Sequence, residues 1–127
     1  MTNAYQVYTG ARQLLGGDAA AMQPLCRREG LAPNGVDILL FLANNPGLDT
    51  ARDICTYRGL KPGIVSVHVD RLVSEGLLER REVPGDRRKT HLATTPAAAA
   101  IIEKGRALQR RFAARLIDGL SEQDLAA

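Results

Sequence analysis

Apolar residues recur along most of this chain at the spacing of a helix that buries one face. The clearest run is 33–45. Val36, Leu39, Leu40 and Ala43 fall at i, i+3, i+4 and i+7, and Ile38, Phe41 and Leu42 widen the apolar arc. A helix with so wide an arc belongs at the centre of a core. Pro33 suits its first turn and Asn45-Pro46-Gly47 ends it. Upstream, residues 3–29 carry Val7, Ala11 and Leu14 and then Ala21, Met22 and Leu25, with Gly16-Gly17 between the two sets. This pattern predicts a kinked helix or two helices, with Asp18 capping the second piece and Gly30 as a stop.

Downstream of the central helix the elements shorten. Thr50 followed by Asp53 resembles a capping box and opens a helix over 51–57, with Ala51, Ile54 and Cys55 inward. Arg58-Gly59-Leu60 is a tight connection into a helix over 61–75, whose inner face is Val65, Val69, Leu72 and Val73. Ser66, Val67, Asp70 and Arg71 lie on its opposite side, and Gly76 ends it. The period then changes. Residues 77–83 read as a strand, Pro84-Gly85-Asp86 as a turn, and 89–94 as the returning strand. A long helix over 96–119 closes the pattern, with Ile101, Gly105, Leu108, Phe112 and Leu116 in one stripe. Ser121 and Asp124 are spaced to cap a further helix.

Charge adds to this picture once it is located. Between Arg52 and His91 stand nine basic residues: Arg52, Arg58, Lys61, Arg71, Arg80, Arg81, Arg87, Arg88 and Lys89. Six acidic residues share the segment, so it carries the whole net charge of +3. A basic segment in an otherwise neutral chain suits a polyanion partner, although a solvated surface has the same composition. Aromatic residues are 4% of the chain, too few for platforms that stack single-stranded bases.

Other classes recede. No apolar run approaches the roughly 20 residues of a membrane span. The N-terminal residues show no basic region followed by an apolar stretch, so no signal peptide is expected. Two cysteines make no disulfide framework, and a reduced, cytoplasmic setting follows. Arg27 and Arg28 beside Cys26 are placed to lower its thiol pKa, whereas Cys55 reads as core. No Cys or carboxylate lies at zinc spacing from His68 or His91, so no metal is expected, and His68 reads as half-buried packing. No nucleophile elbow, phosphate loop or paired His set is present, so neither an enzyme nor a cofactor is indicated.

A short helix, a glycine turn, an amphipathic helix and a basic hairpin compose a winged helix-turn-helix. The fold class is therefore mainly α with a small β-hairpin wing. Its second helix presents Gly63, Ser66 and Val67 toward a major groove, with Lys61 at its start for a phosphate. The wing, residues 83–90, offers Arg87, Arg88 and Lys89, with Asp86 placed to orient an arginine. Arg52 opposes the dipole of its own helix, which points to a phosphate contact. Arg71 can reach DNA or pair with Asp70 or Glu75.

At these residues the chain resembles the MarR family of bacterial transcriptional regulators. The resemblance rests on Asp86-Arg87-Arg88 followed by Leu92 and Thr95-Pro96-Ala97. It rests also on Val65-Ser66 through Val69-Asp70-Arg71-Leu72, then Glu75-Gly76-Leu77-Leu78-Glu79-Arg80. It departs from the family at Val67, where a basic or polar residue is common, and at Ala98, where Gly is common.

The resemblance implies a homodimer that reads a pseudo-palindrome in double-stranded DNA, with repression the expected direction. Residues 1–30 and 96–127 would dimerise, and 31–95 would bind DNA. Tyr5, Val7, Tyr8, Leu14, Ile101, Leu108, Phe112 and Leu116 are the candidate dimer residues, although the same residues can simply complete the monomer core. Tyr8, Met22 and Tyr57 are candidates for a pocket taking a small amphipathic or phenolic effector. A second reading stays open, in which the winged domain docks proteins and has no operator of its own.

Overall fold

The computed structural model describes the backbone of residues 18–126 and the side chains of 21–85 and 89–119. Tyr5, Val7, Tyr8, Leu14 and the Gly16-Gly17 break lie outside the described residues. Five α-helices and one hairpin follow in order: α1 (Asp18–Glu29), α2 (Pro33–Asn44), α3 (Ala51–Arg58), α4 (Pro62–Ser74), β1 (Leu78–Val83), β2 (Asp86–Thr94) and, after a 3₁₀ turn at Pro96–Ala98, α5 (Ala99–Ala126).

Helix α2 is the hub. Every residue from Gly35 to Leu42 except Asp37 is buried, as its wide apolar arc requires. Met22, Leu25 and Cys26 of α1, Ile54 of α3, Val65, Val69 and Leu72 of α4, Leu78 and Leu92 of the hairpin, and Ile101 and Ile102 of α5 complete one core around it. Gly105 lets α5 lie close to α2. A Cβ at that position would stand 2.7 Å from Leu40 Cδ2, inside contact distance.

Local chemistry sets the element ends. Thr50 Oγ1 accepts from Asp53 N–H at 3.1 Å, and Asp53 Oδ2 accepts from Thr50 N–H at 3.2 Å. The expected capping box therefore forms, with the shorter Asp doing the work of Glu. Gly59, at φ +66°, closes α3 by donating to the Cys55 carbonyl at 3.0 Å. Gly76, at φ +76°, ends α4 while Leu77 N–H returns to the Leu72 carbonyl at 2.9 Å, a Schellman closure. Both positions need a left-handed backbone that other residues adopt only at a cost.

The hairpin is antiparallel, with Leu78 opposite Thr94 and Glu82 opposite Thr90. The turn is tighter than the sequence pattern indicates. Strand β2 already begins at Asp86, which pairs with Val83 across Pro84-Gly85. The register then passes from the Val83–Asp86 pair to the Glu82–Thr90 pair, so 87–89 form a bulge on the returning strand.

Two further expectations are corrected. Residues 121–126 continue α5 and start no new helix, because Gly119 weakens a helix without ending it. Ile101 is buried in the chain's own core, so the first member of the proposed dimer stripe is occupied at home. The buried seam of α5 is Ile101, Gly105, Gln109 and Ala113, at every fourth residue. Leu108 and Phe112 only partly pack against the core, and Leu116 is half-buried. At 28 residues α5 is about 42 Å long, longer than the core it covers. No described helix is long and apolar enough to cross a membrane.

Candidate nucleic-acid interface

Helices α3 and α4 meet through Gly59, and the hairpin folds back beside them. Polar contacts add to the apolar packing that holds this unit to the core. Arg58 donates to Asp37 through Nε at 3.0 Å and Nη2 at 2.7 Å, with the two side chains only 3% and 14% exposed. This forked pair joins the end of α3 to the centre of α2. It also explains a carboxylate inside the most apolar run of the chain. A buried guanidinium satisfies Asp37, and a planar fork does so better than an ammonium would.

The hairpin is fastened from its other side. His91 Nδ1 lies 2.8 Å from Asp49 Oδ1, Leu92 N–H donates to the Asp49 carbonyl at 2.8 Å, and Thr50 pairs with His91 in a single isolated antiparallel bridge. Near its base, Thr95 Oγ1 donates to the Gly76 carbonyl at 2.5 Å. Arg80 on β1 donates to Asp70 on α4. The wing is thus tied both to the α2–α3 loop and to α4.

On this frame Arg52 borders both Ser66 of α4 and Lys89 of the wing. Lys61 is the exposed N-cap residue of α4, Pro62 opens the helix, and Gly63, Ser66 and Val67 are exposed beyond it. A groove of about 740 Å³ runs between the start of α3 and β2, lined by Thr50, Arg52, Asp53, Lys89 and His91 among others. A more apolar cavity of about 380 Å³ lies between α3, α4 and the hairpin, lined by Arg52, Cys55, Ser66, Val69, Arg80 and Leu92 among others. Arg52 stands between the two spaces. The side chains of Asp86, Arg87 and Arg88 lie outside the described set, and their backbone occupies the start of β2.

Arg71 resolves differently from its neighbours. Its Nε donates to Glu75 at 3.1 Å and its Nη2 to the Gly30 carbonyl at 2.9 Å, which directs the guanidinium toward the α1–α2 junction. Asp70, its other candidate partner, takes Arg80 instead. Ala51, expected inward, is exposed on the rim of the cavity.

Two of the three candidate effector residues fall among the described residues. Met22 is core, packed with Leu25 and Cys26. Tyr57 is 55% exposed and stacks on Phe41 with ring centres 6.3 Å apart. Neither lines the cavities above, and Tyr8 lies outside the described residues. Among the described residues no three His, Cys, Asp or Glu side chains are grouped to hold a metal.

Cys26 also corrects its sequence reading. Burial pushes its thiol above the ordinary value, outweighing the backbone hydrogen bond that opposes it. Arg27 and Arg28 are exposed and do not reverse this. A neutral, enclosed thiol reacts slowly. A maleimide at pH 7 is therefore expected to modify half-buried Cys55 well before Cys26, read by mass spectrometry of the two peptides. Equal rates would contradict the enclosure of Cys26.

Sequence reasoning missed three contacts: Arg58 with Asp37, Arg80 with Asp70, and His91 with Asp49. Asp37 alone gave a signal, as a lone charge in an apolar run.

A family model described as MarR family matches residues 29–89. None of the curated proteins matches the chain. Among solved structures, a MarR family transcription regulator shares 30% identity over 96% of this chain and 80% of its own, with a TM-score of 0.72. The MepR–DNA complex of S. aureus is similar at 16% identity, covering 91% of this chain and 87% of that one, with a TM-score of 0.65. NadR in complex with 4-hydroxyphenylacetate is similar at 18% identity, covering 92% and 82%, with a TM-score of 0.74.

Proposed function

Because the chain belongs to the MarR family of winged-helix, DNA-binding transcription regulators, we propose that it represses transcription by binding a pseudo-palindromic operator as a homodimer. Helix α4 enters the major groove and the wing lies at the minor groove. The observation that carries this reading is the joint placement of the start of α4, Arg52 and Lys89 on one side of the molecule. The basic segment 52–91, which holds all of the net charge, supplies that side. Lys61 and the first N–H groups of α4 suit one phosphate, and Arg52 and Lys89 suit others. Arg88 is assigned to the minor groove, with Arg87 on the adjacent phosphate and Asp86 orienting one of them. Arg71 retains at most a backbone contact.

Dimerisation is assigned to the residues before α1 together with the part of α5 that outruns the core. Leu108, Phe112 and Leu116 remain candidates there, and exposed Ile117 extends the same helix. A dimer places its half-sites about one helical turn apart. Relief by a small amphipathic or phenolic effector is part of the proposal, supported by the 4-hydroxyphenylacetate seated in NadR. The regulator is assigned to the cytoplasm, with the DNA.

Fluorescence anisotropy tests the proposal, using DNA from upstream of the protein's own gene, a scrambled duplex of equal length, and a salt series. Selective binding is expected, with log K falling by about 0.9 per engaged phosphate for each unit of log salt. Weak, equal binding to both duplexes would instead favour a winged domain that docks proteins.

A further inference from the structure

Helix α4 offers unusually little hydrogen-bonding equipment to a base edge. Its sequence, Pro62 to Ser74, holds no Asn, Gln or Lys and a single guanidinium, Arg71. That guanidinium is committed to Glu75 and to the Gly30 carbonyl. The carboxylate of Asp70, which would suit a cytosine amino group, takes Arg80. His68 is only half-exposed. The exposed face instead carries two branched aliphatic side chains three residues apart, Ile64 at 39% and Val67 at 66% exposure. Residues at i and i+3 stand side by side on a helix. Gly63 adds no bulk beside them, since a Cβ there would meet nothing within 4 Å.

Val67, and the outer part of Ile64, present apolar surface to solvent in the free protein, which costs solvation. In a major groove one apolar group is available to them, the C5 methyl of thymine. Resting on the DNA-binding reading above, we infer that Ile64 and Val67 determine operator specificity by packing on thymine methyls. Ser66 and the first turn of α4 then contribute position more than sequence. The helix distinguishes thymine from cytosine by a methyl group, where an arginine-bearing helix would select guanine by paired hydrogen bonds.

The test uses the full chain and an operator enriched from a randomised duplex pool. Each thymine is replaced in turn by uracil, symmetrically in both half-sites. Uracil pairs identically and lacks only the methyl. One buried methyl corresponds to about fourfold in affinity, so symmetric loss of two corresponds to about sixteen-fold. We expect that loss at one or two thymine positions per half-site and less than about twofold elsewhere. A cytosine placed at a sensitive position should regain affinity when 5-methylated. Val67→Ala or Ile64→Ala should bind the thymine operator more weakly and lose most of the uracil penalty at its own position. Val67 is 66% exposed, so Val67→Ala should keep the wild-type circular dichroism and melting temperature and carries the test if Ile64→Ala, at 39% exposure, loses stability. An enriched operator that tolerates uracil at every position would overturn methyl readout and leave DNA recognition standing. A pool that enriches no sequence would overturn both.

Discussion

Replacing Arg58 by Ala is expected to destabilise the protein by about 3–5 kcal/mol, because it leaves Asp37 charged in a site built for a guanidinium. Arg58 is 3% exposed in its side chain and contacts both carboxylate oxygens of Asp37, at 3.0 and 2.7 Å. Removing the cation therefore costs more than the net value of the pair. The sign reverses when both charges go. Asp37→Leu combined with Arg58→Met should recover most of the loss, since an apolar pair of similar volume needs no desolvated charge. Urea unfolding of wild type, Asp37→Leu, Arg58→Met and the double variant closes the cycle and measures the coupling directly. A single-variant loss below about 1 kcal/mol would mean that the pair is hydrated and does not anchor α3. The effect should reach function as well. The pair holds the end of α3, Gly59 leads straight from it into α4, and a loosened α3 misplaces the reading helix.

The second large effect is expected at the wing. Arg87→Ala with Arg88→Ala should weaken operator binding about 100-fold and make the salt slope shallower by about two phosphates' worth. The backbone supplies the reason. The register shift between the Val83–Asp86 and Glu82–Thr90 pairs makes the backbone of 87–89 a bulge that interrupts the ladder at the wing. An arginine aimed from a hairpin into a narrow minor groove meets an enhanced negative potential, so Arg88→Ala alone should lose most at A·T-rich positions. Unchanged affinity across the salt series would remove the wing from the interface. A melting temperature near wild type is expected and separates this result from that of Arg58.

Much of this architecture is legible in the sequence because it is written in local terms. The wide apolar arc of 33–45 becomes the buried hub α2, Thr50 and Asp53 form their capping box, and Gly59 and Gly76 stop their helices. Each signal involves residues within one or two turns of each other, where helix geometry alone decides which groups meet. The change to strand character after Gly76 is local in the same sense. The wing is legible too, but its turn length is not. Pro84-Gly85-Asp86 marks a reversal, and the cross-strand pairing that draws Asp86 into β2 involves the opposite strand.

What the sequence by itself determined is therefore the order of the elements from α2 to α5, the main apolar positions of α2 and α4, and the concentration of charge between Arg52 and His91. The tertiary structure alone decided what covers each face and which charges meet. An apolar stripe states that something must cover it, without stating what. Ile101 and Met22 looked available to a partner or a ligand until α5 and α1 were seen closing on α2. Arg71 had both DNA and its neighbours Asp70 and Glu75 open to it, and the Gly30 carbonyl, 41 residues away, joins Glu75 in taking its guanidinium. Arg58 and Asp37 stand 21 residues apart, and only the packing of α3 on α2 brings them within 3.0 Å. Side-chain pairing across elements depends on the relative placement of whole helices, and that placement is set by the shape of the entire core rather than by any local window.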